Sequence, residues 1–122
     1  MNSEDFIQGL LNIRKQACEG IIENLDDPPG RKPRRKDLDL SKFYHSLSQE
    51  QKANLGKVIE ESVDMALFIF LCILDHVHFL EDTPDKTQFE LYAIKNNQRI
   101  LLNDFDTTSL HDEFNSYVLD PE

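Results

Sequence analysis

Apolar side chains recur at three- and four-residue intervals over two long segments of the chain, a spacing that predicts amphipathic helices. The first helix is expected at about residues 3–25, with Ser3 as its N-terminal cap. The second is expected at residues 48–77, because Ser48 and Gln51 match the capping-box pattern at its start. We therefore expect two long helices to form the framework of the fold.

The later half of the second helix, residues 65–74, is apolar on every face. A helix of this kind has to be enclosed by protein, so it is expected to be the central helix, with Phe70 and Ile73 fully buried. A membrane span needs about 20 apolar residues, and this run of ten is far shorter. The segment thus predicts a core helix and no membrane contact.

Between residues 89 and 102 the pattern changes to two short aliphatic and aromatic runs, which predict a β-hairpin. The two asparagines at residues 96–97 tolerate the left-handed backbone conformation and suit a two-residue type I′ turn. That turn pairs Ala93 with Ile100. A hairpin alone is marginally stable in water, so we expect it to pack on the helices or to join a further strand.

These elements predict a single α+β domain over residues 1–122, predominantly helical, with an apolar central helix and a small C-terminal β-hairpin followed by a last helix. Residues 104–108 supply candidate caps for that last helix. Its buried face is expected to comprise Leu110, Phe114, Tyr117 and Val118. Between the two long helices, an exposed basic loop is expected at about residues 26–37. The chain is then expected to return to the core through Leu38, Leu40 and Phe43.

The chain is strongly acidic, with 23 acidic against 13 basic side chains and a formal net charge of −10. A field of this sign repels nucleic acids and anionic membranes, so neither is expected as a general partner. No phosphate-binding glycine loop, nucleophile elbow or Cys-x-x-Cys motif occurs, so we expect no enzymatic activity and no cofactor. The two cysteines, and an N-terminus unlike a signal peptide, favour a cytoplasmic location.

Candidate metal ligands lie at the end of the central helix, where Asp75, His76 and His78 are close in sequence and Asp64 precedes the apolar half. Carboxylates and imidazoles bind zinc, so one alternative is a small metal-dependent enzyme or metal-binding protein that uses these four residues. Side chains at i and i+2 on a helix point about 200° apart, however, so the two histidines converge only beyond the helix end. We favour a polar helix C-terminus without metal, and we expect His111 to be solvated.

A cluster of five basic residues follows the first helix: Arg31, Lys32, Arg34, Arg35 and Lys36. A second alternative is a nucleic-acid-associated regulator that contacts phosphate through this loop, residues 31–36. Acidic residues flank the loop, and it lacks the aromatic side chains on which bases stack. We favour a solvated loop. If the protein binds nucleic acid at all, this loop is expected to be the contact.

Acidic side chains are concentrated in residues 81–122, which hold ten acidic and three basic residues. A surface of this kind docks basic proteins, because complementary fields raise association rates and restrict partner choice. The residues expected to contact a basic protein partner are Glu90, Asp104, Asp106, Asp112 and Glu113. The sequence therefore favours a non-catalytic, cytoplasmic protein-interaction domain, such as an acidic immunity or regulatory protein. The surplus of apolar helix faces is also compatible with a homodimer.

Overall fold

The computed structural model of the protein describes residues 1–119. Helices predominate and a two-stranded antiparallel hairpin precedes the last of them, which confirms the predicted α+β class. In chain order, the elements are α1 (Ser3–Asp26), α2 (Arg35–His45), α3 (Gln49–Leu74), β1 (Tyr92–Lys95), β2 (Gln98–Leu101) and α4 (Leu110–Val118). None of the helices among the described residues is long and apolar enough to cross a membrane.

The chain divides into two compact units. The first combines Met1–Asn12 with Asp64–Glu122, so it contains the start of α1, the later part of α3, the hairpin and α4. The second is Ile13–Val63, which contains the rest of α1, all of α2 and the first part of α3. Both long helices therefore contribute to both units.

The core of the first unit lies where the start of α1, the end of α3 and α4 meet. Its buried members are Ile7, Leu71, Leu74, Leu110 and Phe114. Half-buried side chains pack around them: Phe6, Leu10, Leu11, Leu67, Phe68, Leu91 and Val118. The buried face predicted for α4 is correct in three of its four members, because only Tyr117 is exposed.

One prediction about α3 is wrong, since protein does not enclose this helix on every side. Phe70 is 55% exposed and Ile73 is half-buried, whereas Leu71 and Leu74 are buried. Hydrophobic periodicity cannot select a buried face where every face is apolar. The face that is buried is the one that meets α1 and α4.

The β-hairpin has the predicted register, with Ala93 paired to Ile100 in an antiparallel ladder. Asn96 and Asn97 have φ angles of 52° and 63°, the left-handed values that a type I′ turn requires. The turn residues therefore determine the pairing of the two strands.

Reciprocal side-chain caps begin both long helices. Asn2, and not Ser3 as expected, caps α1: its Oδ1 accepts a hydrogen bond from the Asp5 backbone N–H at 2.8 Å, and Asp5 Oδ2 accepts one from Asn2 N–H at 3.2 Å. The capping box predicted for α3 is confirmed. Ser48 Oγ accepts from Gln51 N–H at 3.1 Å, and Gln51 Oε1 accepts from Ser48 N–H at 2.8 Å.

In the second unit, α2 begins at Arg35, so the exposed loop ends three residues earlier than predicted. The buried residues of α2 are Ser41 and Tyr44. The predicted return to the core is wrong, because the three residues expected there are exposed: Leu38, Leu40 and Phe43. In a helix, residues two apart point to opposite sides, and the side with Ser41 and Tyr44 is the buried one.

Candidate functional site

The end of α3 is a cluster of polar side chains in the first unit. The helix stops at Leu74 and not at residue 77 as predicted, because His76 has a left-handed φ of 60°. The His76 N–H donates to the Ile73 carbonyl at 3.2 Å, and the Val77 N–H donates to the Cys72 carbonyl at 2.9 Å. These two bonds form a Schellman motif, in which histidine takes the position that glycine most often occupies.

Asp75, directly after this helix, is paired with His111 of α4. Asp75 Oδ2 lies 2.5 Å from His111 Nδ1 and accepts a hydrogen bond from the His111 backbone N–H at 2.8 Å. Both side chains are largely buried, with 6% of Asp75 and 17% of His111 exposed. The prediction that His111 is solvated is therefore wrong.

This carboxylate also caps α4 from a distance. The N-cap residue of α4, Ser109, makes no side-chain hydrogen bond to the helix backbone. Its hydroxyl instead donates to Asp112 Oδ2 at 2.8 Å, so Asp75 satisfies the backbone N–H of His111 in its place. The caps predicted at residues 104–108 serve another purpose: the carbonyl of Asp104 accepts bonds that close the turn before α4.

His76 contacts the strand-entry segment, residues 89–91, which leads into β1. Phe89 N–H donates to His76 Nε2 at 3.0 Å, and the imidazole ring meets Phe105 edge-on, with centroids 4.5 Å apart. Its Nδ1 is buried without a hydrogen-bond partner among the described residues. Nε2 also lies 3.0 Å from the Phe89 carbonyl oxygen, so the ring is used for packing and for contact with the backbone of Phe89.

Asn103 is the most heavily hydrogen-bonded side chain of the cluster, and sequence analysis did not identify it. Its Nδ2 donates to the carbonyls of Leu74 and Phe89, each at 2.7 Å, and its Oδ1 accepts from Leu91 N–H at 2.8 Å. Only 4% of the residue is exposed. One amide thus joins the end of α3 to the segment that enters β1. An asparagine that follows a strand is typical of a turn, so the sequence contained no signal for this role.

The geometry does not assemble the four candidate metal ligands. Asp64 lies on α3 and Asp75 follows the end of that helix eleven residues later, about 16 Å away at 1.5 Å per residue, so one ion cannot contact both. Asp75 is bonded to His111 and His76 to Phe89, as described above. Within residues 1–119, no three His, Cys, Asp or Glu side chains are placed to hold a metal ion.

The Asp75–His111 pair has the orientation of a carboxylate that positions a catalytic imidazole, with Nε2 as its outward nitrogen. That nitrogen faces Asp112 Oδ1 at 3.4 Å, and the Ser109 hydroxyl lies 3.3 Å from Nδ1, the nitrogen that contacts Asp75. A nucleophile activated by Nε2 has to lie within hydrogen-bond reach of it. The arrangement therefore fits helix capping better than nucleophilic catalysis.

Removing the charge of Asp75 tests this capping role. We expect Asp75→Asn to lower the free energy of unfolding by about 1–2 kcal/mol, because it weakens both the cap of α4 and the contact with the imidazole. Denaturant unfolding followed by circular dichroism measures the change, with Asp82→Asn in the exposed turn as the matched control. A stability equal to that of the control would contradict the role.

All five acidic residues predicted to contact a partner lie in the first unit. Three are exposed (Glu90, Asp106 and Asp112) and two are half-buried (Asp104 and Glu113). Three of the five also have local roles, and one of these is Glu90, which accepts the Tyr92 hydroxyl. Asp104 Oδ1 accepts from the Asp106 N–H at 3.2 Å, and Asp112 accepts the Ser109 hydroxyl.

Glu113 is electrostatically unsatisfied in the first unit. Partial burial raises the pKa of its carboxyl, and the nearby carboxylate of Glu4 on α1 raises that pKa further. Burial removes water from the charged form, and a like charge repels it. A cation brought to this place would favour the ionised form of Glu113.

The raised pKa of Glu113 predicts a pH-dependent effect of Glu113→Gln. Since the folded state favours the protonated carboxyl, ionisation opposes folding as the pH rises from the ordinary value of 4.5 through the raised pKa. At pH 7 the variant is expected to be more stable than wild type by no more than about 0.5 kcal/mol, and at pH 3 equal to it. Unfolding curves at both pH values measure this, and a variant less stable at pH 7 would contradict it.

The five basic residues belong to the second unit, and all of them are exposed. Arg34 is bound to Asp37: its Nε and one terminal nitrogen donate to the two carboxylate oxygens at 2.8 and 2.9 Å. This guanidinium holds the pKa of Asp37 below its usual value. Arg35 and Lys36 lie in the first turn of α2, where the helix dipole already favours anions.

An uncovered apolar face lies on the part of α3 that belongs to the first unit. Met65, Ile69 and Phe70 are all exposed there; Met65 and Ile69, four residues apart, are neighbours on the helix surface, and Phe70 lies about 100° around the helix from Ile69. Large apolar side chains grouped at a surface are typical of a binding site, whereas single ones are ordinary.

Comparison of the chain with protein-family models, with curated proteins and with solved structures finds no match.

Proposed function

We propose that this protein is a non-catalytic, cytoplasmic interaction domain that binds a basic protein through its first unit. The observation that carries the proposal is the exposed apolar face of α3, formed by Met65, Ile69 and Phe70. Burial of apolar area supplies most of the affinity of protein complexes, so this face provides the contact area that a charged surface lacks. A domain of this kind regulates or neutralises the partner that it covers.

The positive charge that we propose for the partner follows from the negative charge of the first unit. Acidic side chains outnumber basic ones in this part of the chain, since residues 81–122 hold ten acidic and three basic side chains. Glu113, whose ionisation Glu4 opposes, is a place where a partner cation is stabilising. An acidic surface also accelerates association with a basic protein by long-range attraction.

Charge reversal at exposed positions tests the acidic surface. In pull-downs from the native cells we expect a stoichiometric basic protein, and its association rate with wild type should fall as salt rises. Glu90→Lys with Asp106→Lys should slow association by about tenfold or more in surface plasmon resonance. The matched control is Asp27→Lys with Asp39→Lys, which changes the net charge equally at exposed positions of the second unit.

Truncation of the apolar face tests the contact itself. Phe70→Ala is expected to raise the dissociation rate of the same complex by about tenfold, the effect of an aromatic anchor in an interface. Neutralising Arg31 and Arg35 in the basic loop should leave the partner bound. An acidic partner, association that ignores salt, or loss of binding in the loop variant with retention in the Phe70 variant would refute the proposal.

A further inference from the structure

A groove of about 350 Å³ opens between α1 and α3 within the second unit. Cys18 and Ile22 of α1 face Gly56 and Ile59 of α3, and all four are half-buried. A Cβ placed on Gly56 would meet nothing within 4 Å, so there is open space on the α3 side of the groove. The floor of the groove is therefore apolar and has room for an inserted side chain.

Three glutamates surround this floor. Glu19 and Glu23 on α1 and Glu60 on α3 line the groove and are exposed. Among the described residues, none of the three takes part in an ion pair or a hydrogen bond through its side chain. Glu19 and Glu23 are also four residues apart on one helix, a spacing at which like charges repel and destabilise it. The rim thus carries three carboxylates, none of them in an ion pair among the described residues.

We propose that this groove binds a cationic amphipathic helix of the basic partner, with an apolar side chain on the floor and Lys or Arg side chains at the three glutamates. A helix laid in a groove recognises its site in this way, through apolar anchors at i and i+3 or i+4. The lining residues span about one helical turn on each wall, so the groove takes one or two anchors. This inference rests on the proposed function and assigns a second contact to the same partner.

Charge selects this occupant over a second copy of the chain. Two copies each with a net charge of −10 repel one another, whereas a cationic helix is attracted to the rim and relieves the repulsion between Glu19 and Glu23. The apolar floor also disfavours a metal ion, which needs several oxygen, nitrogen or sulfur ligands in one place.

The test uses a fluorescently labelled synthetic helix of leucine and lysine with one apolar face, titrated with the full-length protein and followed by anisotropy. We expect saturable binding that weakens as salt rises. Replacement of Glu19, Glu23 and Glu60 by Gln should weaken binding by about tenfold or more, since each exposed pair contributes up to a few-fold. The control replaces Glu50 and Glu61 by Gln and Asp82 by Asn, all of which lie outside the groove, for the same change in charge. Equal loss in both variants, or no binding by wild type, overturns the proposal.

Filling the floor gives an independent test. Gly56→Leu should reduce peptide binding at least tenfold without lowering the melting temperature, because leucine favours a helix more than glycine does. Gly9→Leu is the control, since a Cβ there also meets nothing within 4 Å and the position lies outside the groove. Sedimentation of wild type that shows a dimer, lost in Gly56→Leu alone, would mean that a second copy occupies the groove and would overturn the cationic-helix assignment.

The natural partner separates this inference from the proposed function. If that partner binds the Glu19, Glu23 and Glu60 variant as well as wild type, but loses affinity with Phe70→Ala, the groove proposal falls and the proposed function stands. If neither set of changes affects the partner, both fall. Loss of affinity in both sets supports both.

Discussion

Asn103→Asp is expected to lower the free energy of unfolding by about 3 kcal/mol or more at pH 7, although the two side chains have nearly the same shape. The amide donates to the carbonyls of Leu74 and Phe89, both at 2.7 Å, and a carboxylate in its place turns an oxygen toward each acceptor. The charge is buried without a partner, and two backbone carbonyls lose their donor. Urea unfolding of the variant and wild type measures the difference.

Acid should restore part of this loss, because a protonated carboxyl can donate one of the two bonds. The deficit of the variant should therefore shrink between pH 7 and pH 4. Asn12→Asp on the exposed side of α1 is the matched control and should change stability by less than about 0.5 kcal/mol. If the two variants were equally stable, Asn103 would not be the tie between α3 and the strand-entry segment.

The parts of the fold that were predictable from sequence depend on neighbouring residues. The register of the hairpin followed from Asn96 and Asn97, because few residues accept two successive left-handed conformations. The start of α3 followed from Ser48 and Gln51, whose side chains cap each other's backbone three residues apart. In both cases the interacting groups lie within one turn of chain, so the sequence itself shows them together.

The polar cluster was not predictable, because its partners are distant in sequence. Asp75 and His111 are 36 residues apart, and Asn103 lies 29 residues beyond the carbonyl it binds on Leu74. Each residue alone has an ordinary local interpretation: a helix terminus, a solvated imidazole or a turn. Their pairing depends on how α3, the hairpin and α4 pack, which no spacing along the chain specifies. The proposed groove is of the same kind, since its two walls come from separate helices.

Two phenylalanines allow the difference between a buried and an exposed apolar side chain to be measured. Phe114 is fully buried among Ile7, Leu71 and Leu110, whereas Phe70 is 55% exposed on the outer face of α3. Phe114→Ala is expected to lower the free energy of unfolding by about 3–5 kcal/mol, through lost apolar contacts and the cavity that remains. Phe70→Ala removes the same atoms from a surface, and it is expected to cost less than about 1 kcal/mol.

Urea unfolding of both variants and of wild type, in the absence of any partner, measures this contrast. The substitution is the same at both positions, so only the surroundings of the side chain differ. From sequence alone the expectation was the reverse for Phe70, because residues 65–74 offer no polar face that marks the outside of the helix. A loss at Phe70 as large as at Phe114 would mean that protein covers the α3 face in solution. Concentration dependence of the Phe70 effect would then identify the cover as a second copy of the chain, because dimer stability varies with protomer concentration and monomer stability does not.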